Sequence, residues 1–197
     1  LTVCLRINPY VVRPTPDNRR RKSPILRRYP RWAAERPPNR RLRSESPSAD
    51  SYYCPVNPDY RRFIADTMHE LLERYPFSGL LVDLRRSPFV VRDERRPPFC
   101  YCEVCREGAK NDLGFDPAET DFSEDPFKLP RFRDWQRDQM NKALTYLRIR
   151  ALKNRRSVRF QGLFSRGAAQ QLQTSEETKS DAPQKTVLDW KTAAEHS

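Results

Sequence analysis

Glycine and histidine are scarce in this sequence, with five and two copies among 197 residues. No predicted strand is followed by a glycine-rich segment, which argues against a nucleotide-binding fold because such a loop lets the backbone approach the phosphates. No apolar run approaches the roughly 20 residues that cross a bilayer, and no signal peptide is visible. We therefore expect no membrane partner, and the compartment stays open with the cytoplasm favoured.

Hydrophobic residues are also few, at 37% of the chain, whereas prolines number 18. Such an excess of proline over glycine indicates long, extended loops rather than a tight helical bundle. The length suits one domain with a sizeable core. Because the chain starts in an apolar run without methionine and stops after a helix-like start, we expect residues 1–197 to form a single incomplete domain.

The net charge of +12 is concentrated in one segment. Residues 13–43 hold twelve Lys/Arg and two acidic residues, for a net charge of +10, inside a basic loop rich in proline and arginine that spans 13–53. Such a run is typical of a solvated surface segment, and phosphate binding is the alternative. A second predicted loop, at 166–185, is polar.

Three of the five cysteines lie within six residues, as Cys100-x-Cys102-x2-Cys105, and Cys54 opens the segment Cys-Pro-Val-Asn-Pro. Crowded thiolates suit a tetrahedral Zn²⁺ with four sulfur ligands, because the metal compensates their charge. A closed all-sulfur site leaves no position for water or substrate, so the predicted zinc is structural. The alternative is inert buried thiols; disulfides are disfavoured because a Cys-x-Cys bridge is strained and five cysteines leave one unpaired. Cys4 is interpreted as a core residue.

Apolar periodicity predicts an alternation of strands and helices. Short apolar or period-two runs predict strands at 1–7, 79–84 and 157–164. Apolar faces and cap signals predict helices at 58–75, 102–113 and 131–153, with a further helix start at 186–190. This alternation implies a parallel sheet with right-handed crossovers.

We predict an α/β fold, specifically a partial (β/α)8 TIM barrel of about three βα units with long loops. A complete barrel needs roughly 250 residues, and an open doubly wound parallel sheet is the alternative. Strand ends of a barrel open onto the active site, so Asp83, which follows an apolar run, is interpreted as a catalytic or ligand-binding residue. The alternative is a carboxylate that pairs with Arg85 or Arg86 for structural reasons.

The order of motifs resembles that of TIM-barrel glycoside hydrolases. Residues 78–88 are similar to the strand Asp-Gly-Ile-His-Leu-Asp-Tyr-x-Arg-Tyr-Pro of the family-10-like glycosyl hydrolases. The matching positions are Gly79, Asp83, Pro88 and Arg85 or Arg86. The resemblance implies a barrel that hydrolyses O-glycosidic bonds of a carbohydrate substrate.

The cysteines resemble those of the family 42 β-galactosidases, in which a Cys-Pro-x-x-Pro cysteine and a Cys-x-Cys-x2-Cys cluster together hold a structural zinc. The resemblance places the zinc ligands on Cys54, Cys100, Cys102 and Cys105, at the rim of the active site.

Two further segments fit the same resemblance. Ile7-Asn8-Pro9-Tyr10 is similar to a strand end whose asparagine lines the sugar site. Asn8 and Arg85 are therefore predicted to orient substrate hydroxyls, and Tyr10 to stack on a sugar ring or to anchor a loop. Leu188-Asp189-Trp190 resembles the Asp-Trp that begins a later barrel helix.

The chain also departs from these families. Family 42 enzymes carry Asn-Glu at the end of the equivalent strand, whereas this chain has Leu84-Arg85 after Asp83. A glycosidase needs two carboxylates across the scissile bond, and Asp93 and Glu94 in the following loop are candidates for the second.

Two other functions stay open. A zinc-containing nucleic-acid-binding protein would use the same cysteines and the basic segment 19–43, with Tyr29, Trp32 and Tyr52 available for base stacking. Its binding would depend steeply on salt. The chain could also be an inactive fragment.

Overall fold

The computed structural model describes residues 3–12, 23–37, 51–85, 87–89, 100–153, 155, 157–163 and 187–189. Its strands are β1 (Cys4–Ile7), β2 (Val11–Val12), β3 (Ser51–Tyr52), β4 (Gly79–Asp83), β5 (Arg159–Leu163) and β6 (Val187–Asp189). Its helices are α1 (Pro24–Arg28), α2 (Pro58–Arg74), α3 (Glu103–Leu113) and α4 (Lys128–Ala151), with a 3-10 turn at Pro30–Trp32.

A four-stranded sheet forms the centre of the fold, in the order β1-β4-β5-β6. β4 is parallel to both of its neighbours, with Leu80 opposite Leu5 on one side and Phe160 on the other. β2 and β3 form a separate antiparallel pair. The predicted α/β class and the small parallel sheet are confirmed.

The two long helices that connect the parallel strands, α2 and α4, pack against each other. Asp66 of α2 forms an ion pair with Arg150 of α4. Leu80 and Val82 of β4 are buried in the same core as apolar residues of both helices. In the described residues these crossover helices share one face of the sheet, whereas a doubly wound sheet carries helices on both faces.

The opposite face of the sheet is open in the part of the chain that the structure describes. It presents the exposed or half-buried side chains of Cys4, Arg6, Leu81, Arg159 and Gln161. The prediction that Cys4 is a core residue is therefore wrong. Side chains alternate along a strand, so the neighbouring Leu5 faces the helices and Cys4 faces away from them.

The helix start predicted at 186–190 is also wrong, because residues 187–189 form strand β6. This strand runs antiparallel to β5, with Gly162 opposite Leu188. A strand edge presents a row of backbone N–H and C=O groups, and pairing with them outweighs a weak local helix preference. The similarity of Leu188-Asp189-Trp190 to a helix start therefore does not extend to the structure.

Part of the predicted loop at 13–53 is ordered around an aromatic anchor. Ser23 caps α1 by accepting a hydrogen bond from the backbone of Ile25, and Trp32 is 9% exposed. The Trp32 ring stacks on Tyr29, with ring centroids 4.2 Å apart. Residues 13–22 and 38–50 of this loop, and the polar loop 166–185, lie outside the described residues. None of the described helices combines the length and hydropathy of a membrane span.

The start of α2 carries a cap that can be tested. Asn57 Oδ1 accepts a hydrogen bond from the Tyr60 backbone nitrogen at 3.0 Å, and Asn57 Nδ2 donates to the Arg31 carbonyl oxygen. Asn57→Ala should lower the free energy of unfolding by about 1 kcal/mol in urea titrations, because both hydrogen bonds are lost. Asn57→Asp keeps the cap and should cost less. Equal stability of Asn57→Ala and the unmodified chain would contradict this role.

Candidate metal centre and strand-end carboxylate

Four buried cysteines converge on one point. The sulfur of Cys54 lies 3.5 Å from those of Cys102 and Cys105, and the Cys100 sulfur lies 3.4 Å from Cys102 and 3.5 Å from Cys105. All four sulfur atoms lie within 4.8 Å of one another. The structure thus brings together the four cysteines that the sequence predicted as a metal site.

Three chain segments position these sulfurs. The Cys54 backbone nitrogen donates to the Trp32 carbonyl oxygen at 2.8 Å, which fixes the segment after β3 against the 3-10 turn. Cys102 is the N-cap of α3, and Cys105 lies in the first turn of that helix. Cys100 adopts a backbone φ of 98°, a conformation that costs a non-glycine residue roughly 1–3 kcal/mol and persists where the surroundings impose it.

Burial and mutual contact shift the acidity of the thiols in opposite directions. Hydrogen bonds with the Cys100, Cys105 and Cys54 thiols lower the pKa of Cys102. Burial, the largest cause, raises the pKa of Cys100 and of Cys105 well above the usual value. The partly positive N-terminus of α3 also favours a thiolate at Cys102. Burial thus disfavours ionisation of Cys100 and Cys105, whereas the neighbouring thiols favour a thiolate at Cys102.

The donor set fits a tetrahedral metal site. With metal–sulfur bonds of about 2.3 Å, a regular tetrahedron of sulfurs has edges of about 3.8 Å. The observed separations of 3.4 and 3.5 Å approach that spacing and allow the sulfurs to surround one ion. Four buried sulfur ligands leave no position for water, so an ion bound here has a structural role.

A second cluster of charged groups lies at the end of β4, on the open face of the sheet. Asp83 is 7% exposed and receives hydrogen bonds from two arginines. Arg85 donates through Nε to Oδ1 at 3.0 Å and through Nη2 to Oδ2 at 2.8 Å. Arg6 donates to Oδ2 through Nη2 at 2.5 Å and through Nε at 3.2 Å. The Arg85 backbone nitrogen also contacts Oδ1.

These contacts keep Asp83 ionised. The hydrogen bond from the Arg85 side chain is the largest cause and, with the bonds from Arg6 and the Arg85 backbone, lowers the pKa of Asp83 far below its ordinary value. Asp83 conversely raises the pKa of Arg85. A general acid needs a raised pKa to hold its proton at neutral pH. In this arrangement the Asp83 carboxylate is a hydrogen-bond acceptor for both arginines, which disfavours a role as the proton donor to a leaving group.

Arg6 was not predicted from the sequence. Arg6 is paired with Leu81 in the parallel register, and Leu81 lies two positions before Asp83 on the same face of the sheet. Because side chains alternate along β1, Arg6 lies on the other face of the sheet from Leu5 and Ile7, which is the face that carries Asp83. This alternation is the signal that could have paired Arg6 with Asp83.

The other predicted site residues have different environments. Asn8 Oδ1 accepts hydrogen bonds from the Tyr10 and Val11 backbone nitrogens at 3.3 and 3.2 Å, so the side chain shapes the turn after β1. Tyr10 is fully buried, and burial raises the pKa of its hydroxyl. Its ring lies 6.4 Å from that of Tyr60, inside the core, and is enclosed by protein in this conformation. Asp93 and Glu94 lie outside the described residues.

The cysteine cluster and Asp83 both lie toward the carboxyl ends of the parallel strands. The Tyr60 hydroxyl, in the first turn of α2, donates to the Pro9 carbonyl oxygen just after β1. The Tyr53 backbone nitrogen donates to the Tyr10 carbonyl oxygen at 3.0 Å. Cys54 therefore lies beside the carboxyl ends of the parallel strands, which is where β4 places Asp83.

A groove of 580 Å³ adjoins Cys102. Its wall includes the stacked Tyr29 and Trp32, and its rim includes four carboxylates, those of Glu35, Asp59, Glu103 and Glu107. Burial is the largest cause of the raised pKa of Glu35, and the nearby Cys102 raises this pKa further. Sequence reasoning did not identify this groove, because it assembles residues from three separate segments, 28–35, 57–59 and 102–107.

Comparisons with known proteins give only distant similarity. No protein-family model and no curated protein sequence matches the chain. The alpha-L-fucosidase isoenzyme 2 from Paenibacillus thiaminolyticus is similar at a TM-score of 0.47 and 16% identity, over 70% of this chain and 18% of that one. The alpha-galactosidase from Lactobacillus brevis is similar at a TM-score of 0.43 and 14% identity, over 84% of this chain and 17% of that one. The chain spans less than a fifth of the length of either, and similarity at this level assigns no family.

Proposed function

We propose that the four-cysteine cluster binds one structural Zn²⁺. Its support is the closed set of four buried sulfurs, since zinc favours four thiolates in tetrahedral geometry. Cys54, Cys100, Cys102 and Cys105 would hold the ion, which would fix the segment before α2 to the segment before α3. The ion would stabilise the edge of the sheet at which Asp83 lies, without entering a reaction.

We also propose that the domain is part of a (β/α)8 barrel of the glycoside hydrolase type, with a carbohydrate as its ligand. The parallel strands β1, β4 and β5, with their crossover helices on one face, are compatible with one wall of such a barrel. On this proposal the open face of the sheet is the inner face of the barrel. The antiparallel β6 stands outside that unit.

The observation that carries this proposal is the position of Asp83 with its two arginines. In barrels, charged side chains at the carboxyl ends of strands line the active site. Asp83 is the only buried acidic side chain on the described part of the open face, and its partners Arg6 and Arg85 are both partly exposed. Hydrolysis needs a second carboxylate that acts as an acid, because Asp83 is held ionised.

A binding experiment tests this proposal. Isothermal titration of the full chain with a panel of oligosaccharides should detect at least one ligand whose affinity changes little between low and high salt. Asp83→Asn should weaken that binding at least tenfold, because the two arginines lose the carboxylate that orients them. Asp116→Asn is the matched control, since Asp116 also pairs with an arginine, Arg106, but shares neither Arg6 nor Arg85 with Asp83.

Two results would contradict the proposal: no oligosaccharide binds, or Asp116→Asn weakens binding as much as Asp83→Asn. Steeply salt-dependent binding of RNA or DNA would instead support the nucleic-acid alternative. Seven of the eleven Lys/Arg in the basic segment 19–43 lie outside the described residues, and the ring of Trp32 is already stacked on Tyr29.

A further inference from the structure

The two arginines around Asp83 have hydrogen-bond donors that the carboxylate does not use. A guanidinium group has five N–H donors, and each arginine contacts Asp83 through Nε and Nη2. The side chains of Arg6 and Arg85 are 52% and 43% exposed, whereas that of Asp83 is 9% exposed. The unused edges of both guanidinium groups therefore face solvent, while their inner edges are fixed by a buried anion.

The local charge is positive. Two guanidinium groups around one carboxylate carry a net charge of +1. Among the described side chains of β1, β4 and β5, Asp83 is the one acidic group. A neutral sugar hydroxyl would leave this charge uncompensated, whereas an anionic substituent would balance it.

We propose that Arg6 and Arg85 form a subsite for the carboxylate of an acidic sugar, which makes a uronic-acid-containing glycan the ligand of this site. The inference rests on the proposed carbohydrate function and specifies its substrate class. Asp83 is then a positioning residue that holds the two guanidinium groups side by side.

The geometry favours a planar carboxylate over a spherical anion. Arginine presents its donors in a rigid planar fork that matches the two oxygens of a carboxylate. Asp83 already contacts Arg85 in this bidentate manner through its two oxygens. A ligand carboxylate would reach the outer edges of the same groups, where solvent now has access.

The test compares a charged oligosaccharide with its uncharged ester. Isothermal titration of the full chain should show that tetragalacturonic acid binds roughly tenfold to hundredfold more tightly than its methyl ester, because a hydrogen bond between charged groups contributes that much to affinity. Arg85→Gln and Arg6→Gln should remove this preference. Arg85→Lys keeps the charge without the planar fork and should lose most of it.

Arg159→Gln is the matched control, because it removes the same charge from the same face at the opposite end of the strands. Preference for the acid should survive in Arg159→Gln, and thermal melting should show that every variant is folded. An equal loss in Arg159→Gln would overturn the subsite, because diffuse attraction would then explain the binding.

The remaining outcomes separate this inference from the proposed function. Equal affinity for acid and ester, unchanged in Arg85→Gln, overturns the acidic subsite and leaves carbohydrate binding in place. Binding of inorganic sulfate that depends on Arg85, without binding of any sugar, overturns both the sugar class and the proposed function. Failure of every ligand to bind also overturns both.

Discussion

Replacement of Cys54, Cys100, Cys102 or Cys105 with serine is expected to abolish stoichiometric metal binding and to cause the largest loss of stability of any single substitution considered for this chain. A serine hydroxyl is a poor zinc ligand, and the other three sulfurs would then be buried without their cation. When free metal exceeds its dissociation constant about a thousandfold, binding stabilises the folded state by about 4 kcal/mol. We expect a loss of at least this size.

The loss of stability should be concentrated near the cysteine cluster, at the carboxyl ends of the parallel strands. The cluster joins the segment that precedes α2 to the segment that precedes α3, and Gln136 of α4 also donates to the Cys100 carbonyl oxygen at 3.4 Å. Loss of an ion from the cluster would remove the bonds that join the two segments, and the costly backbone conformation of Cys100 would then have less to hold it. Amide hydrogen exchange should therefore rise first in residues 52–57 and 100–105.

Cys4→Ser is the matched control for this prediction, because Cys4 is the exposed cysteine that stands outside the cluster. It should retain about one equivalent of zinc by elemental analysis and should unfold at the same temperature as the unmodified chain. A chelator should destabilise Cys4→Ser and the unmodified chain, and it should leave the four cluster variants unaffected. A chain purified without metal, and with no response to added zinc or chelator, would contradict the metal site.

Asp83→Asn is expected to lower the free energy of unfolding by about 2–3 kcal/mol at neutral pH, because hydrogen bonds between charged groups are lost and two guanidinium groups are left together. The partial exposure of both arginines lets water replace some of these bonds, which keeps the loss below that of a fully buried pair.

The lowered pKa of Asp83 determines how its contribution to stability changes with pH. The pKa of Asp83 is lower in the folded state than in the unfolded state, where an aspartate titrates near about 3.9. The ionised carboxylate therefore stabilises the fold fully above that value and loses its contribution as the pH falls toward the folded-state pKa. The difference in stability between the unmodified chain and Asp83→Asn should be constant near neutrality and should shrink in acid.

Urea unfolding from about pH 7 to about pH 3 measures this difference. Asp66→Asn is the matched control, since Asp66 pairs with Arg150 but is half exposed, and exposed ion pairs contribute roughly 0–1 kcal/mol. Asp66→Asn should therefore cost little at any pH. A stability difference for Asp83→Asn that does not change with pH would contradict an ion pair and would indicate a packing effect.

The metal site could be predicted because three of its four ligands are neighbours in the sequence. Cys100, Cys102 and Cys105 lie on one short segment that ends in the first turn of α3, so their sulfurs have few ways to separate. The contact with Cys54 is not local, and it was predicted because a tetrahedral ion needs a fourth sulfur ligand, with the resemblance of the cysteine pattern in agreement. The boundaries of α2 and β4 were predicted within a residue or two for a similar reason, since cap residues and apolar periodicity are local signals.

The residues around Asp83 could be predicted only in part from local sequence signals. The sequence indicated a carboxylate at the end of a buried strand and an arginine two residues later. It did not indicate Arg6, because the pairing depends on the register between β1 and β4, which is set by strands distant in the chain. The same reason explains β6, since a three-residue run becomes a strand only beside a free sheet edge.

The amino-acid sequence alone determined the type of each long element and identified the cysteines as candidate metal ligands, because periodicity, capping and ligand chemistry are properties of neighbouring residues. Only the tertiary structure decided which face of the sheet is open, which arginines hold Asp83 ionised and which aromatic rings are enclosed. Those features depend on contacts between segments far apart in the chain, and their energies arise only when burial and strand register bring the groups together.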